Sequence, residues 1–226
     1  MGSMKKLVIL GSGGHAKEIV SALDDINARE PAFDFLGFID PGSPERKGQR
    51  VCGRPVLGGY EAVSQPASEI GFCCGIGDPF ARMKECLAAE QLGWEPATLI
   101  HPTASIAPSS RIGGGTFIGM GSIVGADATV GVHCSVNVHA AVGHDSSLGD
   151  YAVVSPGAMI LGGAEVGDLV LIGANAVVHV GRKMGKAAVL GAASFLVEDL
   201  APGRTALGNP ARAFPASLAS SKREKI

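Results

Sequence analysis

The chain has 226 residues, enough for one large domain or two small ones with a real core. A net charge of −2 gives no electrostatic case for nucleic acid or an anionic membrane, and no apolar run approaches the roughly 18 residues of a membrane span. With one Trp and two Tyr against 33 Gly, this is not an ordinary aromatic-cored globule, so aliphatic side chains must do the packing.

Five cysteines (Cys52, Cys73, Cys74, Cys86, Cys134) form no CxxC pair and no metal-ligand spacing. They read as reduced, mostly buried residues of a cytoplasmic protein, with no metal expected. No signal peptide opens the chain, and "MGS" at residues 1–3 reads as a cloning scar.

Residues 4–98 read as an α/β domain. "KKLVIL" (5–10) is an apolar run of strand length, followed by "GSGG" and a helical pattern with Ile19, Val20 and Leu23 on one face. "FDFLGFID" (33–40) is a second strand ending in an acidic residue. "EIGFCCGIG" (69–77) is a third, closed by glycines. "DPFARMKECLAAEQLG" (78–93) opens with an N-cap Asp and a first-turn Pro, and Gly93 stops it. Strand and helix alternate, which predicts a small parallel sheet, about half of a dinucleotide-binding fold.

From residue 99 to 214 the grammar changes. Every sixth position from 106 to 196 reads Ile, Ile, Ile, Val, Val, Val, Val, Leu, Val, Ile, Val, Ile, Val, Met, Leu, Leu. Ile, Leu, Val and Met make up only 57 of 226 residues, so chance gives this run a probability on the order of 10⁻¹⁰ before the choice of frame is allowed for. Gly follows the aliphatic residue at 113, 119, 125, 131, 143, 149, 167, 173, 185 and 191. Three hexads make one triangular coil of 18 residues, and stacked coils pair as parallel strands about 4.8 Å apart. Aliphatic side chains fill the interior, while glycines and small residues at the corners meet the backbone demands of the turns. The register never breaks. Residues 215–226 read as a flexible C-terminus.

"GSGGHA" (11–16) satisfies G-x-G-x-x-A, and such glycines let backbone N–H groups meet phosphates at a helix N-terminus. Gly11, Gly13 and Gly14 are therefore candidates for a nucleotide-sugar diphosphate, for NAD, or for a purely structural tight turn. Asp40 is placed to bind a ribose hydroxyl. A second mononucleotide half and a redox domain are missing, which weighs against NAD. His15 either faces the phosphates or caps the helix. Gly75, Gly77 and Asp78 close the third strand at the same sheet edge. Arg82, one turn on, either reaches a phosphate or is a solvated helix arginine.

Among the other histidines, His101 reads as a capping or packing residue at the entry to the first coil. His133 and His139 occupy the same place in their hexads, which fits a solvent-facing or intersubunit surface. His179 replaces a corner glycine and is a weaker site candidate.

The hexads resemble those of the left-handed β-helix acyltransferases. "VLGAASFLVEDLAPGRTALGNPARAF" (189–214) is similar to the closing segment of that family, with Gly208-Asn209-Pro210-Ala211-Arg212 its most specific piece. "LVILGSGGHAKEI" joined to such a helix narrows the resemblance to one subgroup. It holds the nucleotide-sugar N-acetyltransferases of the bacillosamine and perosamine pathways and the sialic acid O-acetyltransferase-like proteins. The resemblance implies the left hand of the helix, acetyl-CoA as co-substrate, a nucleotide-linked amino sugar as acceptor, and a homotrimer with sites between chains.

"GHDSSLGD" (143–150) resembles the family's catalytic segment, which makes His144 the general base and Asp145 its partner. Asp127 lies one coil below Asp145. Gly162, one coil above His144, offers an N–H for the oxyanion and a place in the acetyl-CoA site. Ala174 and Ala192 stack 18 apart and fit a pantetheine arm, or are simply corner residues; Arg212 is a candidate for the CoA phosphates. Where close relatives carry a second His, nine residues after the base, this chain has Val153. A sugar hydroxyl as acceptor and a non-catalytic assembly module are the alternative readings. A metal trimer of the carbonic-anhydrase kind fits less well, because the N-terminal domain would then have no purpose.

Overall fold

The computed structural model describes residues 4–214; the expected cloning scar at 1–3 and flexible C-terminus at 215–226 lie outside the described residues. The N-terminal part holds strands β1 (Lys5–Leu10), β2 (Phe33–Ile39), β3 (Arg50–Val51), β4 (Arg54–Gly58), β5 (Ile70–Cys74) and β6 (Glu95–Pro96), with helices α1 (Gly14–Arg29) and α2 (Pro79–Gln91). The sheet order is β3-β4-β2-β1-β5-β6. All neighbours are parallel except the β3–β4 hairpin. That hairpin was not anticipated, because Arg50, Arg54 and Pro55 break any apolar run through it.

β1 is central and buried on both sides, as parallel strands are. Leu7 and Ile9 pack with Ile19 and Leu23 of α1, while Val8 and Leu10 pack with Cys74, Cys86 and Trp94. Asp78 caps α2, its Oδ1 accepting from the N–H groups of Phe80 (3.1 Å) and Ala81 (2.9 Å).

From Leu99 the chain winds into a parallel β-helix with three faces. The first runs from Leu99–Ile100 through Phe117–Ile118 and Ser135–Val136 up to Thr205–Leu207. The second runs from Ser105–Ile106 to Phe195–Leu196, and the third from Arg111–Ile112 to Lys183–Met184. Strand partners are 18 residues apart, as in Ile123↔Ala141 and Ala141↔Met159. The hexad aliphatics from Ile118 to Leu196 form one interior column. Arg212–Ala213 folds back antiparallel on Ala206–Leu207 and closes the top.

Left-handed backbone falls three positions after the hexad aliphatic, at corner glycines such as Gly115, Gly121 and Gly163 (φ 64° to 70°) and also at Asp127, His133, His139, Asp145 and Tyr151 (φ 51° to 58°). The glycines directly after the aliphatic residue serve close stacking instead. A Cβ on Gly125 would stand 2.7 Å from the backbone nitrogen of His144, and one on Gly143 would stand 2.8 Å from that of Gly162.

The α/β domain sits on the first face and on the corner between the third and first faces, and Asp25 and Arg29 of α1 also reach the lowest coil of the corner between the first and second faces. Phe117 and Leu99 enter the core of α1 and β1, and Tyr151 packs against the α2 side. The corner between the second and third faces points the opposite way. It carries Ala126, His144, Gly162 and Val180 in a column.

Candidate active site

His144 is exposed at that second-to-third corner, and so is Asp145 beside it. Asp145 Oδ2 lies 2.7 Å from His144 Nδ1. A carboxylate accepts, so Nδ1 is the donor to Asp145, which leaves Nε2 as the nitrogen facing outward. The ring lies over Gly162, where a Cβ would meet Nε2 at 2.4 Å and Cε1 at 2.5 Å. The Gly162 N–H makes no hydrogen bond among the described residues. An imidazole, its orienting carboxylate and a free backbone donor thus share one edge. Asp127 occupies the same corner one coil below, where its N–H is bonded to Ser109 Oγ at 3.0 Å. His179 is exposed one coil above Leu161, its ring against Phe195.

At the carboxyl ends of β1, β2 and β5 a cleft of about 520 Å³ is lined by Gly11, Asp40, Pro41, Gly42, Ile76, Ala81, Lys84 and Glu85. This is where ligands of open α/β sheets collect. Gly11 needs to be glycine for the fold itself: its φ is +83°, and a Cβ would stand 2.7 Å from Ile76 Cγ1. Gly13, Gly14 and Gly77 are different, because neither positive φ nor crowding requires them, and a Cβ there would meet nothing within 4 Å. Gly13 is the N-cap of α1 and provides no side-chain cap for the first-turn N–H groups. Asp40 Oδ2 accepts from both the N–H (3.0 Å) and the hydroxyl of Ser12, which fixes the carboxylate at the cleft wall.

His15 is joined to the β-helix, with Nε2 2.8 Å from Ser135 Oγ and its ring edge-on to Phe117. Burial, with a smaller contribution from the Arg82 charge, holds its pKa down to about 3, so the ring is neutral. Ser135 escaped the sequence reading. Its one signal is a polar residue in an outward row (Phe117, Ser135, Val153, Leu171) that is otherwise apolar.

Arg82 corrects the expectation of a phosphate ligand or a solvated arginine. It is wholly buried, and its guanidinium donates to the carbonyls of Ile76 (3.0 Å), Cys74 (3.0 Å) and His133 (3.1 Å). It ties the loop after β5 to a coil of the β-helix. His133 is corrected as well: far from facing solvent, it is stacked between Phe72 and Tyr151 and bonded to Glu90 at 3.0 Å. Its hexad equivalent His139 is exposed, because α1 reaches that corner only lower down, at His101 and Pro102. His101 is a packing residue, with Nε2 2.9 Å from Asp25 and Nδ1 accepting from the Thr103 N–H at 3.1 Å.

Ala174 and Ala192 stack on the corner between the first and second faces, so one chain does not bring them to His144. Arg212 is exposed in the closing strand. Val153 is buried in the outward row of the first face, between Ser135 and Leu171. The cleft and His144 also lie on opposite sides of the solenoid. Among the described residues no group of three His, Cys, Asp or Glu side chains is placed to hold a metal, and no helix is long and apolar enough to cross a membrane.

Residues 6–86 match the PglD N-terminal domain, and residues 145–179 match the bacterial transferase hexapeptide repeats. The acetyltransferase domain of PglB from Neisseria gonorrhoeae superposes with a TM-score of 0.83 at 27% identity, covering 93% of this chain and 100% of that one. The chain is thus similar, over nearly its whole length, to hexapeptide-repeat acetyltransferases, and its N-terminal part to the PglD-type domain. PerB from Caulobacter crescentus, solved in complex with CoA and GDP-perosamine, gives 0.84 at 29% identity, covering 94% and 99%. WeeI from Acinetobacter baumannii gives 0.83 at 25% identity, covering 92% and 99%. No curated protein sequence matches the chain.

Proposed function

We propose that this acetyltransferase moves the acetyl group of acetyl-CoA onto the amine of a nucleotide-linked 4-amino-dideoxy sugar, in the cytoplasm, as a homotrimer with sites between chains. The observation that carries the reading is the corner where His144, oriented by Asp145, overhangs Gly162 with its free N–H. The PglB domain has been solved with acetyl coenzyme A, and PerB with CoA and GDP-perosamine. PerB variants with one histidine replaced by Asn or Ala still hold both ligands, which fits a base separable from binding. Five free thiols fit a reducing compartment.

Open space at Gly13, Gly14 and Gly77 supports a diphosphate at the start of α1, and Asp40 would take the ribose. His144 then accepts the proton released as the amine adds to the thioester carbonyl, and the Gly162 N–H donates to the developing oxyanion. As the C–S bond breaks, His144 returns that proton to the departing sulfur, leaving an amide and a free thiol. An amine is already a fair nucleophile, so positioning supplies much of the rate.

The separation of the two half-sites supports the trimer. Above Ser105, the residues on the outward side of the second face are apolar: Ile123 and Met159 are exposed, and Ala141, Val177 and Phe195 continue the row. The third face presents Arg111, Thr129, Ser147, Glu165 and Lys183 instead. The apolar face is bounded by the His144 corner on one side and by the Ala174–Ala192 corner on the other. Packing it between copies sets one chain's base beside the next chain's small-residue corner and α/β domain.

Subunit complementation tests this directly. His144→Asn and Asp40→Ala proteins, each inactive alone, regain part of the activity when refolded together; hybrids that stay inactive overturn the shared site. Release of free CoA thiol with amino-sugar nucleotides tests the reaction itself. Calorimetry showing no CoA binding at millimolar concentration would leave only the assembly-module reading.

A further inference from the structure

The far end of the cleft carries a pair of side chains with no part in the reading so far. Lys84 and Glu85 lie on α2 beyond Ala81, and with Ile76 and Pro41 they line the space past Asp40. Glu85 is mostly buried, and its Oε2 accepts the Tyr60 hydroxyl proton at 2.7 Å. Burial, reinforced by the hydrogen bond to Glu85, pushes the Tyr60 phenol up, so it stays a donor. One carboxylate oxygen is thus fixed, and the other, Oε1, stands 3.8 Å from the Lys84 ammonium, which is itself largely exposed. An oriented acceptor and an adjacent cationic donor share the cleft with the apolar side chains of Pro41, Ile76 and Ala81.

We propose that Lys84 and Glu85 read the edge of the nucleobase, and that the base is guanine. This rests on the cleft being the nucleotide site, with Asp40 on the ribose and the base therefore beyond it. Guanine presents N1–H and N2–H together, two donors in the spacing a carboxylate accepts, beside O6, an acceptor for an ammonium. Uracil and thymine present one N–H flanked by two carbonyl oxygens, one of which would face the Glu85 charge. Adenine presents an acceptor where Glu85 needs a donor. A site built around a buried acceptor rejects the base that leaves it unpaired.

Calorimetric titration of the full chain with GDP, UDP, dTDP, ADP and IDP tests the assignment. GDP binds at least about tenfold tighter than the others, IDP included, because inosine lacks the 2-amino group. Glu85→Gln abolishes that preference while UDP affinity stays within about twofold, and an unchanged melting temperature shows the variant folded. UDP or dTDP binding as tightly as GDP overturns the guanine assignment and leaves the nucleotide site standing. A folded Glu85→Gln protein that keeps its GDP preference overturns the role of Glu85. If no diphosphate binds, the nucleotide reading falls, and this inference falls with it.

Discussion

Asp145 Oδ2 stands 2.7 Å from His144 Nδ1 across a single peptide link, in a corner where Asp145 adopts φ 58°. Asp tolerates left-handed backbone, so the turn that the solenoid needs also delivers the carboxylate to its neighbour. Both groups are exposed, and solvent screening leaves the pair little weight in stability. Its value is orientation. His144→Asn should lower kcat by about 10²- to 10⁴-fold with substrate Kd nearly unchanged. Asp145→Asn, which frees the tautomer but keeps the ring, should cost roughly tenfold. Steady-state rates with binding measured separately decide this; wild-type turnover in His144→Asn removes the base.

Gly162 offers a finer probe of the same corner. An added Cβ would sit 2.4 Å from Nε2, a distance real side chains do not show, so the ring must swing away. Because the imidazole is exposed it can do so freely, and folding should be indifferent. Gly162→Ala should therefore lose on the order of 10²-fold in kcat, with the melting temperature shifted by no more than a degree or two. A matched loss of stability and activity would mean that the glycine serves the coil, not the chemistry.

The interior of the solenoid was legible because each hexad repeats one physical constraint: a narrow core that admits one aliphatic side chain per strand. The three main strands and two helices of the α/β part were legible for the same local reason, as apolar runs with caps. What the sequence could not show is which face of the solenoid the α/β domain covers. That one fact separates His133 from His139, turns Arg82 inward, makes Ser135 a partner of His15, and puts Ala174 on a different corner from His144. Such contacts join residues 50 to 120 positions apart, with no local signature. His139 and His144, only five residues apart, are likewise assigned to different corners by the hexad register.

Arg82 should prove structural. Its three carbonyl partners lie at the end of β5, in the loop after it and in the β-helix, and among the described residues no carboxylate forms an ion pair with it. Arg82→Met leaves those buried acceptors unpaired and should destabilise the fold by about 3 kcal/mol. Arg82→Lys keeps the charge but not the planar fork and should recover only part of that. Urea denaturation at neutral pH measures both. A loss under about 0.5 kcal/mol for Arg82→Met would place the interdomain strength elsewhere.

Acid should loosen the same junction through His15. Its folded pKa is lowered from 6.5 to about 3 by burial and by Arg82, and burial lowers His133 as well. Below pH 6.5 the unfolded chain therefore binds protons that the folded chain refuses. Stability is fully present above that value and falls as pH drops from it toward 3, because the proton uptake favours the unfolded state. Urea midpoints should decline between about pH 7 and pH 5, before most carboxylates titrate. His15→Asn, which cannot take up that proton, should flatten the decline. A slope unaltered by His15→Asn would show that His15 titrates alike in both states and would return the acid sensitivity to other groups.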